Sequence, residues 1–283
     1  MLKKSLPISL LLLSLLQLSA QAPSFNFQLF DVPNSASTEA DNINARGNIV
    51  GFFFDQAGHQ HGFFHSQGAF TQLDFPGATA TKTVGLNNRD DIVGVLTDAS
   101  GVQHGLIRAD GVFTQLDFPG ATSTQALSIN DSREIAGSFT DTAGRLHGFV
   151  LVAGQFTQVD FPGGTNTVVF GINDRDELVG SFVDSSGTQH AFLRTGAVFT
   201  QLNPPGSTSS VAFGLNARTD IVGSFTDAAG NGHGFLDRSG TFTQLDFPGA
   251  SSTDGDGINA EGTIVGDFFD AAGVEHGYIA TRR

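Results

Sequence analysis

The chain repeats itself six times at a step of 43 residues, with no insertion or deletion between copies. The most visible mark is a histidine followed by a small and then an apolar residue. It occurs at His61-Gly62-Phe63, His104-Gly105-Leu106, His147-Gly148-Phe149, His190-Ala191-Phe192, His233-Gly234-Phe235 and His276-Gly277-Tyr278. Three other columns keep the same step. One is Asn44, Asn87, Asn130, Asn173, Asn216 and Asn259; another is Gly51, Gly94, Gly137, Gly180, Gly223 and Gly266. The third is Asp55, Asp98, Asp141, Asp184, Asp227 and Asp270. Self-similarity at a period of roughly 20–50 residues marks a solenoid, propeller or array, because one such unit cannot bury its apolar face alone.

The copy from Thr81 to Pro119 shows what a unit contains. Val84-Gly85-Leu86 reads as a strand and meets a polar turn at Asn88-Arg89-Asp90. A second strand, Ile92 to Thr97, ends at Asp98-Ala99-Ser100-Gly101, and a third, Gln103 to Arg108, turns at Ala109-Asp110-Gly111. A fourth, Val112 to Phe118, stops at Pro119-Gly120. β-formers bounded by Asp, Asn, Gly and Pro are strand and hairpin signals, and four short antiparallel strands make one propeller blade. The ends agree with a ring. Phe27 to Asp31 matches the fourth strand of later copies with no strands one to three before it, and the last copy stops after its third strand, at Ile279. The expectation is therefore an all-β, six-bladed β-propeller of four-stranded repeats, with the N-terminal strand completing the C-terminal blade. A β-solenoid is the rival architecture, but it needs capping units with polar outer faces.

The N-terminus reads as a signal for export. Lys3 and Lys4 precede an apolar run from Leu6 to Leu18, and small residues follow at Ser19, Ala20 and Ala22. The run is shorter than the roughly 20 residues that span a bilayer. Residues 1–22 are thus expected to be a signal peptide and 23–283 the propeller domain, in a protein that is secreted, periplasmic or on the cell surface. Loss of Lys3 and Lys4 takes the formal charge from −14 to −16, which argues against nucleic acid or an anionic membrane as partner. With no cysteine, thiol catalysis, thiolate metal sites and disulfides are excluded.

A column present in every copy is needed by every blade. Phe27, Phe70, Phe113, Phe156, Phe199 and Phe242 suit packing between neighbouring blades, and Ile49, Ile92, Ile135, Leu178, Ile221 and Ile264 supply an aliphatic layer. The Asp-x-x-Gly turns suit type I turns better than calcium loops, since each offers a single carboxylate. Six equivalent histidines imply hydrogen bonding within each blade rather than catalysis. Thr38, Thr81, Thr124, Thr167, Ser210 and Thr253 form a hydroxyl column suited to local turn capping. The pattern G-[IL]-N-x-x-x-x-[IL]-[VA]-G followed by D-x-x-G-x-x-H-[GA]-[FLY] resembles the bacterial extracellular repeat proteins of the HAF family. His190-Ala191-Phe192 matches the naming triplet literally. The resemblance spans essentially the whole mature chain and implies an exported bacterial protein, with no activity to carry over.

Candidate functional residues lie where the copies differ. The innermost-strand position held by Val84, Leu127, Phe170 and Phe213 becomes Asp41 in the first copy and Asp256 in the last. Two residues earlier, Lys82, Gln125, Val168 and Val211 give way to Glu39 and Asp254. Ring closure makes the first and last copies neighbours. Glu39, Asp41, Asp254 and Asp256 are the expected metal ligands if the seam binds Ca²⁺, and with Lys82 they are the candidate ligand-binding residues. Two carboxylates could alternatively serve as acid and base on a glycoside, and a solvated channel rim is the plainest reading. His59, His61 and His65 offer a second, weaker metal cluster. No nucleophile motif or phosphate loop stands out, so the expected function is a non-enzymatic extracellular binding or scaffold module. Its partner would be a protein or glycan, its state a monomer, and its alternative role that of a glycan-active hydrolase or Ca²⁺-dependent glycan binder.

Overall fold

The computed structural model describes residues 25–283, so the expected signal segment, residues 1–22, lies outside the described residues. The described chain forms six four-stranded antiparallel sheets and no helix. In the first blade the strands run from the channel outward as Ser37–Ile43, Ile49–Phe54, Gln60–Ser66 and Ala69–Leu73. The next four blades repeat that order. The sixth takes Ser252–Ile258, Ile264–Phe269 and Glu275–Arg282 from the end of the chain and its outermost strand, Phe25–Leu29, from the start. Phe25 pairs with Arg282 and Leu29 with Tyr278. The six-bladed propeller closed by an N-terminal strand is thus the observed architecture.

The apolar core lies between blades rather than within them. One buried cluster joins Ala136 and Val159 of the third blade to Val169, Leu178, Phe182 and Phe192 of the fourth. Another joins Val265 of the last blade to Ile43, Ile49 and Phe63 of the first. The phenylalanine column reaches across these boundaries as the sequence predicts: Phe27 meets Phe247 at 5.5 Å, and Phe156 meets Phe118 at 5.2 Å. Phe118, Phe161 and Phe247, each following an outer strand, also stack flat on Phe139, Phe182 and Phe268 of the next blade.

Polar columns complete the joints. Each column asparagine donates its side-chain amide to the backbone carbonyl of the equivalent asparagine one blade on. The run passes from Asn44 through Asn87, Asn130, Asn173, Asn216 and Asn259 and back to Asn44, at 3.1–3.3 Å. Each glycine of the Gly51 column is required by close approach: a Cβ at Gly180 would lie 1.9 Å from the Val168 carbonyl oxygen. The column histidines tie the third strand to both neighbouring turns of their own blade. His61 Nδ1 is 2.9 Å from Asp74 and its Nε2 is 3.6 Å from Asp55. In the last blade His276 binds Asp31, on the segment that follows the closing strand. The hydroxyl column caps as expected, Thr81 accepting from the Phe75 amide and Thr253 from the Phe247 amide. Pro204 follows the strand Val198–Leu202, and His190 there pairs with one carboxylate, Asp184, because Asn203 stands where other blades have Asp.

A chain beginning at Pro33 loses the closing strand and Asp31 together. The last blade then exposes the unpaired edge of Glu275–Arg282, and exposed edges self-associate. The expected result is a lower unfolding midpoint and concentration-dependent oligomers by light scattering. A monomer with an unchanged midpoint would contradict closure by this strand.

Candidate functional site

Each innermost strand carries a β-bulge at the same place. Pairing with the second strand slips between Ala40 and Asn42 in the first blade and between Gly255 and Gly257 in the last, with equivalent slips in the other four. The extra residue is Asp41, Val84, Leu127, Phe170, Phe213 or Asp256, the column in which the copies diverge. A bulged residue is freed from the ladder and re-aimed. All six of these side chains line one cavity of about 310 Å³ in the central channel. Phe269, which ends a second strand, and Glu275, which begins a third, also line it. The cavity therefore occupies the half of the channel nearer the turns between strands two and three.

The cavity has two unlike walls. Glu39, Asp41, Asp254, Asp256, Asp267 and Glu275 form one, all from the first and last blades. Val84, Leu127, Phe170 and Phe213 form the other, where the Phe170 and Phe213 rings meet edge to face at 5.1 Å. Lys82 stands at the border with its ammonium 4.0 Å above the Phe52 ring, and among the described residues it forms no ion pair. The five residues singled out from sequence are thus brought together in one cavity.

Sequence comparison missed Asp267 and Glu275. Asp267 pairs with Asp254 across the sheet and occupies a column that elsewhere reads Phe52, Val95, Ser138, Ser181 and Ser224. The signal was the one that revealed Asp41, but it sits on the second strand. Glu275 falls in a column that varies from copy to copy, with Gln60, Gln103, Leu146, Gln189 and Gly232, so no departure stands out.

Five of the six seam acids are half-buried on the cavity, and the sixth lies deeper. Asp267 is 5% exposed. Asp41 and Asp256 keep some surface on the cavity, yet the Oδ2 atom of each is sealed from solvent; the Asp41 carboxyl adjoins that of Glu39, and the Asp256 carboxyl that of Asp267. Burial, reinforced by neighbouring carboxylates, pushes Asp41, Asp256 and Asp267 well above the usual range. Burial likewise raises Glu39 to about 7, with Glu275 adding to the rise and Lys82 opposing it. Asp254 and Glu275 are raised too, again mainly by burial. Glu39, Asp267 and Glu275 each place a carboxylate oxygen within 4.8 Å of the others, a spacing able to hold one metal ion.

Of the three clustered histidines, His59 and His61 share the Asp55 carboxylate with their rings 6.4 Å apart, whereas His65 stands apart. His59 lies in the turn before its strand, bound to Asp55 at 3.1 Å, and His61 is engaged by Asp74 and Asp55. His65 packs between Phe30 and Phe70, and burial lowers its pKa. The Asp-x-x-Gly turns behave as turns: Asp55 accepts from the amides of Ala57 and His59, and Gly58 takes the left-handed conformation.

No family model matches the sequence, and no curated protein does. Among solved structures the chain is similar to virginiamycin B lyase from Staphylococcus aureus in a structure with quinupristin. That match has a TM-score of 0.54 at 12% identity and covers 91% of this chain and 100% of the other. It is also similar to the fucose-specific lectin from Aleuria aurantia, with a TM-score of 0.55, 10% identity, and coverage of 89% and 96%. A third is TolB from Acinetobacter baumannii, with a TM-score of 0.59, 9% identity, and coverage of 83% of this chain and 63% of that one. At such identities the likeness is one of fold. Among the described residues no helix is long and apolar enough to cross a membrane.

The shifts set a pH dependence. Unfolded carboxyls titrate near pH 4, whereas the seam acids keep their protons to higher pH, Glu39 to about 7. Between those values the folded state holds more protons than the unfolded one, so stability falls as pH rises. The turn aspartates act in reverse. Asp55 is held at about 2, first by the His59 amide, and Asp227 at about 2, first by the Asn231 side chain. Their contribution is present above the unfolded values and is lost as pH drops toward 2. In chelator, Asp41→Asn/Asp256→Asn should melt higher than the parent near neutral pH and lose less stability from about pH 4.5 to 7.5. Parallel midpoint curves for the two proteins would disprove the burial of these acids.

Proposed function

We propose that the protein is an exported, monomeric and non-enzymatic binding module whose ligand site is the channel cavity. The observation that carries this reading is a single channel cavity in which the divergent bulge column and its neighbours set an acid wall against an apolar one. Columns that build the fold stay alike in all six copies, whereas the bulge column runs from Val84 to Phe213 to Asp256. Small-ligand sites combine apolar walls with a few convergent polar groups. A compact ligand with an apolar face and several hydroxyls suits both walls. Sugars have that character, and Phe170 and Phe213 supply the aromatic surface on which a sugar face packs. The lectin likeness in fold and the resemblance to HAF-type extracellular repeats support an extracellular glycan as partner.

Binding is favoured over hydrolysis by the direction of the shifts. Glycoside hydrolysis sets an ionised carboxylate against a protonated one. Here all six acids of the wall are raised, so no environment separates a nucleophile from an acid.

Saturation-transfer NMR with a panel of p-nitrophenyl glycosides tests both points. At least one should receive saturation from the parent protein without releasing nitrophenolate. Phe170→Ala and Phe213→Ala should each weaken that contact about ten- to a hundredfold, given roughly 1.5–3 kcal/mol for a buried aromatic face. Equal saturation in the parent and both variants would place the ligand elsewhere, and nitrophenolate release would make the protein a hydrolase.

A further inference from the structure

We infer that the acid wall holds a single divalent cation of the hard, oxygen-seeking kind typified by Ca²⁺, gripped by Glu39, Asp267 and Glu275 and clasping the first blade to the last. The inference deepens the binding reading above, since it places a cation in that same cavity.

The donors come from three different strands. Glu39 lies on the innermost strand of the first blade, Asp267 on the second strand of the last, and Glu275 on the third. Their oxygens lie within 4.8 Å of one another. Two donors on opposite sides of a Ca²⁺ ion stand about 4.6–5.2 Å apart, twice the usual Ca–O distance. One ion can therefore reach all three with little movement of the backbone. Asp254 pairs directly with Asp267 and lies on the same wall.

A separate observation shows that the wall lacks a counter-charge. The Oδ2 atoms of Asp41 and Asp256 are sealed from solvent and receive no hydrogen bond from an amide, hydroxyl or cationic group; Asp41 lies against the Glu39 carboxyl and Asp256 against that of Asp267. Buried carboxyl oxygens are normally hydrogen-bonded, paired or metal-bound. Lys82 is the one basic side chain lining the cavity, and it rests on the Phe52 ring rather than on a carboxylate. One ammonium cannot balance these acids, so at neutral pH the wall either keeps protons on several of them or exchanges those protons for a cation, and a divalent ion offsets two charges at once. Ca²⁺ takes six to eight oxygens, so three protein donors leave positions open toward the Phe170 and Phe213 wall. Hydroxyls of a bound ligand could fill them.

The chain carries its own reporter. It contains no Trp and one Tyr, and the Tyr278 hydroxyl donates to the Asp254 carbonyl at 2.8 Å. The single ultraviolet antenna therefore abuts the acid wall. Tb³⁺, a luminescent substitute for Ca²⁺, is titrated into chelator-treated mature protein with excitation at tyrosine. The expected result is saturable emission that Ca²⁺ displaces, together with a rise in the unfolding midpoint on adding Ca²⁺. Asp267→Asn/Glu275→Gln should lose both signals while remaining folded, because both changes are near-isosteric and remove one buried and one half-buried acid. Tyr278→Phe should lose the emission and keep the Ca²⁺-induced rise. Lys82→Gln should bind Ca²⁺ more tightly, having lost a like charge. Absence of both emission and midpoint rise in the parent, or their survival in Asp267→Asn/Glu275→Gln, would overturn the site. If the cation binds as stated while glycoside contact ignores Phe170→Ala and Phe213→Ala, the cation site stands and the ligand reading fails. If glycosides bind in chelator without any Ca²⁺ response, the reverse holds.

Discussion

Every asparagine of the turn column gives its amide to the carbonyl of the next, and the last gives its amide to the first. That circuit expresses the constraint on which the molecule depends: a blade finishes neither its core nor its hydrogen bonds without a neighbour. The clusters joining Ala136 to Val169 and Val265 to Ile49 say the same in apolar terms. A propeller satisfies such units only when the last meets the first. With no cysteine to cross-link it, closure relies on one short strand, one His276–Asp31 contact and the packing beneath them.

The same constraint dictates where chemistry can appear. Side chains between blades are committed to packing, and the Gly51 column cannot accept a Cβ. The column histidines are held by two aspartates in most blades, as His104 is by Asp98 and Asp117. Burial pulls His104 downward, but those aspartates outweigh it and its net shift is upward. On the channel, what remains free to vary is the bulge position and its neighbours. Placing acids there in two adjacent blades gathers them across a joint, where burial and mutual repulsion act on all of them at once.

The period, the four-strand unit and the closing strand were legible in sequence because each repeats or conspicuously fails to repeat. Asp41 and Asp256 were legible for the same reason, as substitutions in an otherwise apolar column. Asp267 carried a weaker signal one strand outward, because serines already fill half of its column, and Glu275 carried little because its column is mostly polar and mixed. The depth of these acids was not legible: it follows from the bulge, which no residue type announces. Nor was the pairing of His61 with Asp74, since that depends on the register of the third strand against the fourth, with Gly62 opposite Leu73. His59 and His65 looked like companions of His61 in the linear sequence, but a turn and a pair of phenylalanine rings separate their roles.

The bulge has a consequence for how such a chain can change after its unit has been duplicated. It presents one side chain per copy to the lumen without asking that side chain to hold the sheet together. Six such positions can drift independently while selection keeps the surrounding lattice of Asn, Gly and Phe uniform. Val84, Leu127, Phe170 and Phe213 on one side and Asp41 and Asp256 on the other already show how far the drift has run. A duplicated, outwardly symmetric ring thereby acquires a polarised interior through a handful of point changes, each made where no side chain is needed to hold the sheet.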